Sequence, residues 1–243
     1  MRDGETKVYG QHACHAVFKH RPDDIIRVLL DQKSKPAFRD LLTHCVEQHK
    51  PYRVVSSEEL EKVSGARHHE GICIVTLPKW TRGLPEVLAE EGPGLLLALD
   101  QVGNPHNIGT LLRTAVHFGA RAVLLGGKLR RLSSAAYRTA EGAAEYIDVI
   151  FAEDVTELLS QCKRAGFSVC ATSSHQGRSL FAAEGLPARS VVLLGAERDG
   201  LSKKLMNEAN IVLSIPGTEQ VESLNVASSA AVFLAEHWRQ HRG

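Results

Sequence analysis

The stretch that decides the fold is Leu95-Leu-Leu-Ala-Leu99, followed at once by Asp100-Gln-Val-Gly-Asn-Pro-His-Asn-Ile-Gly-Thr-Leu-Leu-Arg113. The first five residues are a short, unbroken apolar run, the mark of a strand buried on both faces. Asn104-Pro105 is a turn signal, and from Ile108 to Phe118 the apolar residues recur at helical spacing. The same alternation continues to the end of the chain. Further strands are expected at Ala122–Leu125, Ile147–Ile150, Ser168–Thr172, Val191–Leu194 and Ile211–Ser214. Helices are expected at Ala135–Gly142, Val155–Ala165, Lys203–Asn207 and Asn225–Gln240. Nearly continuous apolar strands alternating with helices imply an α/β domain with a mostly parallel sheet and helices on both faces. Ligands of such sheets sit beyond the carboxyl ends of strands, which directs attention to the loops starting at Asp100, Gly126, Gly195 and Ile215.

Working back towards the amino terminus, Pro78–Gly94 is the densest cluster of structure breakers, with one short helix expected at Pro85–Glu91. Before it, Lys7–Gly10, Ile25–Leu30, Arg53–Val55 and Ile72–Leu77 read as strands. His12–His20 and Pro36–His49 read as helices, with Pro36 suited to a first turn, and Ser56-Ser-Glu-Glu59 is a capping-box start for a helix through Val63. This predicts a small α/β domain over 1–78, a linker over 79–94 and a larger α/β domain over 95–243.

Composition excludes several classes. Of 243 residues, 43% are hydrophobic and 23% charged, which is ordinary for a globular chain and too apolar for disorder. No apolar run approaches the ~20 residues of a membrane span, and no signal segment follows Met1. The net charge of +1 hides an asymmetry: residues 1–82 hold 14 Lys+Arg against 11 Asp+Glu, hence +3, and seven of the 12 histidines. The five cysteines are odd in number and lack metal-ligand spacing, so no metal site is expected and a reducing, cytoplasmic setting is.

Three loops could carry chemistry. In the first, Asn107 is placed to cap the next helix, and Arg113 lies on an otherwise apolar helix. The two are six residues apart, so if both are fully helical they point about 240° apart and share a face only if the segment starts as a turn. A lone Arg here is a surface or ion-paired residue, or a fork-shaped donor for a phosphate or ribose. The second loop, Gly195-Ala-Glu-Arg-Asp-Gly-Leu201, is a charged turn that matches neither GxGxxG nor a P-loop. The third, Ile215-Pro-Gly-Thr-Glu-Gln-Val-Glu-Ser-Leu-Asn225, is long and polar and runs into a small-residue helix that Ser223 or Asn225 could cap.

In this order, Asn107…Arg113, Gly195-x-Glu197-x-x-Gly200-Leu201 and Ile215-Pro216…Ser223-Leu224-Asn225 resemble the three motifs of the SpoU (TrmH-like) RNA ribose methyltransferases of the SPOUT superfamily. The resemblance covers essentially the whole chain. Val8-Tyr-Gly-x-His12-Ala13 and His69-Glu-Gly-Ile72 resemble the N-terminal substrate-binding domain of RlmB-type members, and Ala140-Glu-Gly-Ala-Ala-Glu145 also fits. The resemblance implies a deep trefoil knot, a homodimer, and S-adenosyl-L-methionine as cofactor. The activity it implies is methylation of a ribose 2′-hydroxyl in ribosomal or transfer RNA. It implies catalytic roles for Asn107, Arg113, Glu197, Ser223 and Asn225, and a cofactor site around Gly195, Gly200, Ile215 and Leu224. RNA contacts are then expected from Lys128, Arg130, Arg131 and Arg138 as well as the positive first domain. Gly217 and Glu219 depart from the family pattern, Glu219 adding a negative charge near the cofactor. An alternative reading is therefore an RNA-binding protein of the same fold that has lost methyl transfer. A nucleotide-dependent metabolic enzyme is disfavoured by the missing phosphate-loop fingerprints.

Overall fold

The structure is a computed structural model that describes residues 4–182, 184–196, 200–218 and 220–242. By their contacts the described residues form two compact units, those within 4–80 and 132–146, and those within 81–131 and 147–242.

The first unit begins with β1 (Thr6–Tyr9), α1 (Gln11–His20), β2 (Ile25–Leu30), α2 (Arg39–Glu47), β3 (Tyr52–Val54), α3 (Ser57–Ser64) and β4 (Ile72–Thr76). Its sheet has the order β1-β4-β2-β3, antiparallel except where β3 runs parallel to β2. Ser56 caps α3 by accepting from the Glu59 amide at 3.3 Å, as the capping-box pattern predicts. The helix expected from Pro36 starts instead at Arg39. Asp31 accepts from the Ser34 amide, and successive turns carry the chain through Phe38.

The chain continues through α4 (Leu84–Leu88), β5 (Gly94–Asp100), α5 (Pro105–His117) and β6 (Ala122–Gly126). Residues 81–94, part of the stretch expected as a linker, are packed: Leu84, Val87 and Leu88 are buried in the second unit's core. The Arg121 guanidinium, itself 5% exposed, donates to the carbonyls of Glu90, Glu91, Gly92 and Pro93 and so ties the segment down. Residues 132–146 then return to the first unit, with α6 (Ser134–Thr139) against β1 and a 3-10 turn at Ala143–Glu145 against α1. The approach is close enough that a Cβ on Gly142 would lie 2.9 Å from Ala16 Cβ and 3.1 Å from the His12 carbonyl, at a φ of +90°. Arg21 locks the segment with a fork on Glu145, at 2.8 and 3.1 Å.

The second unit is completed by β7 (Asp148–Ala152), α7 (Val155–Arg164), β8 (Ser168–Thr172), β9 (Arg178–Ser179), β10 (Arg189–Leu194), α8 (Lys203–Glu208), β11 (Ile211–Ser214) and α9 (Val226–His241). Its seven strands are all parallel, in the order β7-β6-β5-β10-β8-β11-β9. Leu96, Ala98, Leu124, Val169, Val191 and Leu193 point to one face and share a core with α4, α7 and α8. Alternate residues such as Leu97, Val123 and Val192 are equally buried on the other face. On that side α5 packs on α9, with α5 against β6 and α9 against β10. The sheet covered on both faces is the architecture that the apolar runs predict. Only the two-residue β9 has no counterpart among the expected strands, being too short to leave an apolar run.

His237 of α9 is buried, and its Nε2 donates to the Ala188 carbonyl at 3.1 Å. Burial, with His241 and Arg242 nearby, lowers its pKa from 6.5 to about 4. The unfolded chain therefore takes up a proton between these values that the native chain refuses. The stability from keeping His237 neutral is complete above pH 6.5 and lost as the pH falls towards 4, by about 3 kcal/mol. Urea unfolding across this range should show a shallower pH slope for His237→Gln than for the wild type. Equal slopes would contradict the assignment.

Candidate active site

Four loops leave the same carboxyl edge of the large sheet, because strand register puts their starting points side by side. Leu99 pairs with Leu194, Leu193 with Ala171, and Thr172 with Leu213. The loops after Asp100, Thr172, Leu194 and Ser214 are thus neighbours although more than 110 residues separate the first from the last.

In the first loop, Gln101 holds a left-handed backbone with φ +56°, where non-glycine residues are strained and functional loops often store strain. The Asp100 carboxyl is pushed up by burial and by Asp154. Asn104, not Asn107, caps α5: its extended backbone lets the side chain accept from the His106 amide at 2.9 Å. Asn107 is already helical and turns elsewhere. The Asn225 Nδ2 donates to its Oδ1 at 3.4 Å. The same Asn225 caps α9, accepting from the Ala227 amide at 2.9 Å and the Ser228 amide at 3.4 Å. One side chain thus starts the last helix and reaches the first motif, 118 positions away.

Because α5 starts at Pro105, the turn that would have put Asn107 and Arg113 on one face is absent, and they lie about 240° round the helix from one another, about 120° by the shorter way. Arg113 is exposed and has no ion-pair partner among the described residues. Within one chain, Arg113 does not join the Asn107–Asn225 contact.

The second loop closes on itself, with the Gly200 amide donating to the Ala196 carbonyl at 2.9 Å. A Cβ on Gly195 would lie 2.3 Å from the Gly200 carbonyl, so only glycine fits there. Glu197 lies outside the described residues, as does Glu219 of the third loop. In the third loop Ile215 is half-buried, whereas Pro216, Gly217, Thr218, Ser223 and Leu224 are exposed. The loop after Thr172 joins it, His175 Nε2 approaching Glu222 Oε1 at 3.7 Å. This fourth loop is not among those expected from the sequence to carry chemistry, although the carboxyl-end rule, applied to Ser168–Thr172, points to it.

These loops fit a nucleoside carrying a sulfonium. A Cβ on Gly200 or Gly217 would meet nothing within 4 Å, so there is open space beside both loops for a ligand. Leu224, 48% exposed at the end of the third loop, offers apolar surface. Among the described residues no cluster of three His, Cys, Asp or Glu side chains could hold a metal ion, and no helix is long and apolar enough to cross a membrane.

The four basic residues expected to touch RNA are not equivalent. Arg130 is bound to Glu153 and to the carbonyls of Gly127 and Leu129. Arg138 is held in the first unit between Glu70 and Glu141. Lys128 and Arg131 are exposed and have no ion-pair partner among the described residues.

A family model described as the SpoU rRNA Methylase family matches residues 94–235, more than half of the chain. The chain belongs to the SpoU family. A second model, described as RNA 2'-O ribose methyltransferase substrate binding, matches residues 7–79 of this SpoU protein. It is 36% identical over 243 residues to an uncharacterized tRNA/rRNA methyltransferase, YfiF, of Escherichia coli O157:H7, covering 100% of this chain and 70% of that one. It is 30% identical to the 23S rRNA (guanosine-2'-O-)-methyltransferase RlmB of Pseudomonas putida, covering 97% of each. Its fold matches that of an AdoMet-bound rRNA methyltransferase from Sinorhizobium meliloti, with a TM-score of 0.79 and 22% identity over 97% of this chain and 87% of that one.

If the second loop needs glycine at its first position, Gly195→Ala should leave the circular dichroism spectrum unchanged. It should also weaken S-adenosylmethionine binding in calorimetry by at least about tenfold, one misplaced loop contact of about 1.4 kcal/mol. Unchanged affinity would show that the cofactor does not use this loop.

Proposed function

We propose that this SpoU protein transfers a methyl group from S-adenosylmethionine to a ribose 2′-hydroxyl of RNA. The observation that carries the reading is the contact between Asn107 and Asn225, which joins the first and third motifs at the edge where the Gly195 loop also emerges. S-adenosylmethionine, when bound, supplies a methyl group already activated on sulfur. The protein is left with two tasks: to hold the 2′-oxygen in line behind that methyl, and to let the hydroxyl lose its proton. Asn107, Ser223 and Asn225 position the ribose and the loop backbone. The guanidinium of Arg113 offers only N–H donors, so it serves as a donor to the neighbouring phosphate and to the developing alkoxide rather than as a base. The proton passes to phosphate or water.

The separation of Arg113 from Asn107 supports a site completed by a second copy of the chain, in which Arg113 of one protomer serves the loops of its partner. Ribosomal RNA is the favoured substrate class, because the Pseudomonas putida relative that matches end to end is named for 23S rRNA. The protein then works in the cytoplasm, and its five buried free thiols accord with that compartment. Mapping ribose methylation across total RNA, with and without the gene, tests the reading: a lost methyl group supports it, and an unchanged map rejects it.

Arg113→Ala should lower turnover by about 10²–10³-fold while cofactor binding survives. Mixing Arg113→Ala with Gly195→Ala should restore part of the activity if the arginine works across protomers. No restoration would place it in its own chain's site.

Lys128 and Arg131 are proposed to meet phosphates, whereas Arg130 is engaged by Glu153 and Arg138 by Glu70 and Glu141 within their own units. The double variant Lys128→Ala/Arg131→Ala should reduce the salt slope of RNA binding by roughly two, about one per lost contact. An Arg130→Ala/Arg138→Ala variant with the larger effect would reverse the assignment.

A further inference from the structure

The first unit carries an exposed aromatic group that the methyl-transfer site does not use. Tyr146 is 53% exposed, and its ring meets His20 edge-on, with centroids 4.2 Å apart and planes at 74°. Lys19 Nζ lies 3.4 Å from the Tyr146 hydroxyl and 5.8 Å from the ring centroid. These side chains come from segments more than 120 residues apart in sequence.

What brings them together is the ion pair beside them. Arg21, next to Lys19-His20, forks onto Glu145, next to Tyr146. Both charged groups are shielded, with side-chain exposures of 9% and 1%. Arg21 also donates to the Thr76 hydroxyl at 3.0 Å and the Leu77 carbonyl at 2.6 Å, and lies 3.5 Å from Asp24. Glu145, the acid next to Tyr146, is therefore turned inward and neutralised by Arg21, whereas Asp24 stays one-third exposed beside the same guanidinium. A rigid, buried fork thus presents an exposed ring, an imidazole and a lysine on the surface. A core tyrosine would hide its ring, whereas this one leaves half of it in water beside a cation.

Resting on the reading of the protein as an RNA methyltransferase, we propose that Tyr146, His20 and Lys19 form a docking site for an unpaired nucleotide of the RNA substrate. The base stacks on the Tyr146 ring, and its phosphate meets Lys19. Every base has a π-face, so such a platform grips single-stranded RNA with little sequence preference and leaves the choice of nucleotide to the catalytic loops.

The test uses the full chain and a short fluorescein-labelled oligouridylate in anisotropy titrations, with S-adenosylmethionine calorimetry run on every variant. Tyr146→Ala should weaken oligouridylate binding about tenfold, the usual effect of losing one stacked base. Tyr146→Phe, which keeps the ring, should bind as the wild type does. Lys19→Glu should weaken binding and decides the matter should Tyr146→Ala fail to fold. Wild-type affinity in both Tyr146→Ala and Lys19→Glu would overturn the proposal, as would equal loss in the alanine and phenylalanine variants. If the wild type binds RNA and cofactor while these substitutions change nothing, only the docking site is refuted. If the wild type binds neither, the methyl-transfer reading falls with it.

Discussion

The parallel pairing of β5 with β10, Gly94 against Arg189 through Leu99 against Leu194, is the constraint on which the site depends. It joins the strand that precedes the first motif to the strand that precedes the second. The neighbouring pairings of β10 with β8 and β8 with β11 bring the third motif to the same edge. Because all seven strands are parallel, every strand delivers its carboxyl end to one side, so loops distant in sequence emerge together. The apolar residues that make the strands readable also make this pairing stable, since both faces of the sheet are buried.

One polar contact then turns the sheet edge into a defined surface. Asn225 satisfies amide groups at the start of α9 and reaches Asn107, so helix initiation and loop assembly share one side chain. In the first unit the Arg21–Glu145 fork does comparable work. A shielded ion pair is expensive to assemble and very costly to break by losing one partner, which makes it better suited to holding two segments in register than to adding stability.

Much of this architecture was legible in the residues. Ile25–Leu30, Ser168–Thr172 and Ile211–Ser214 are strands with the expected bounds, because an apolar run between polar turns has few alternatives. What could not be read are relations between distant positions. Asn104 and Asn107 are the same residue type three positions apart, and only the backbone at Pro105 decides which one caps α5. Arg130 and Arg138 look like free cations in sequence and are engaged by Glu153, Glu70 and Glu141 in space. Residues 132–146 follow β6 with no change of composition, yet pack with the first unit through Gly142 and Glu145. The order of the motifs is written in the sequence, but the angle between Asn107 and Arg113 is fixed by the start of α5 at Pro105, which puts both residues on regular helix.

We propose that the loops at one sheet edge enclose the cofactor. Amide hydrogen exchange of the intact protein, with and without S-adenosylmethionine, measures this directly. Slowed exchange is expected only in residues 101–107, 195–201 and 215–225. Protection elsewhere, for instance at the opposite end of the sheet around Leu88 and Ala165, with those three segments unchanged, would contradict it.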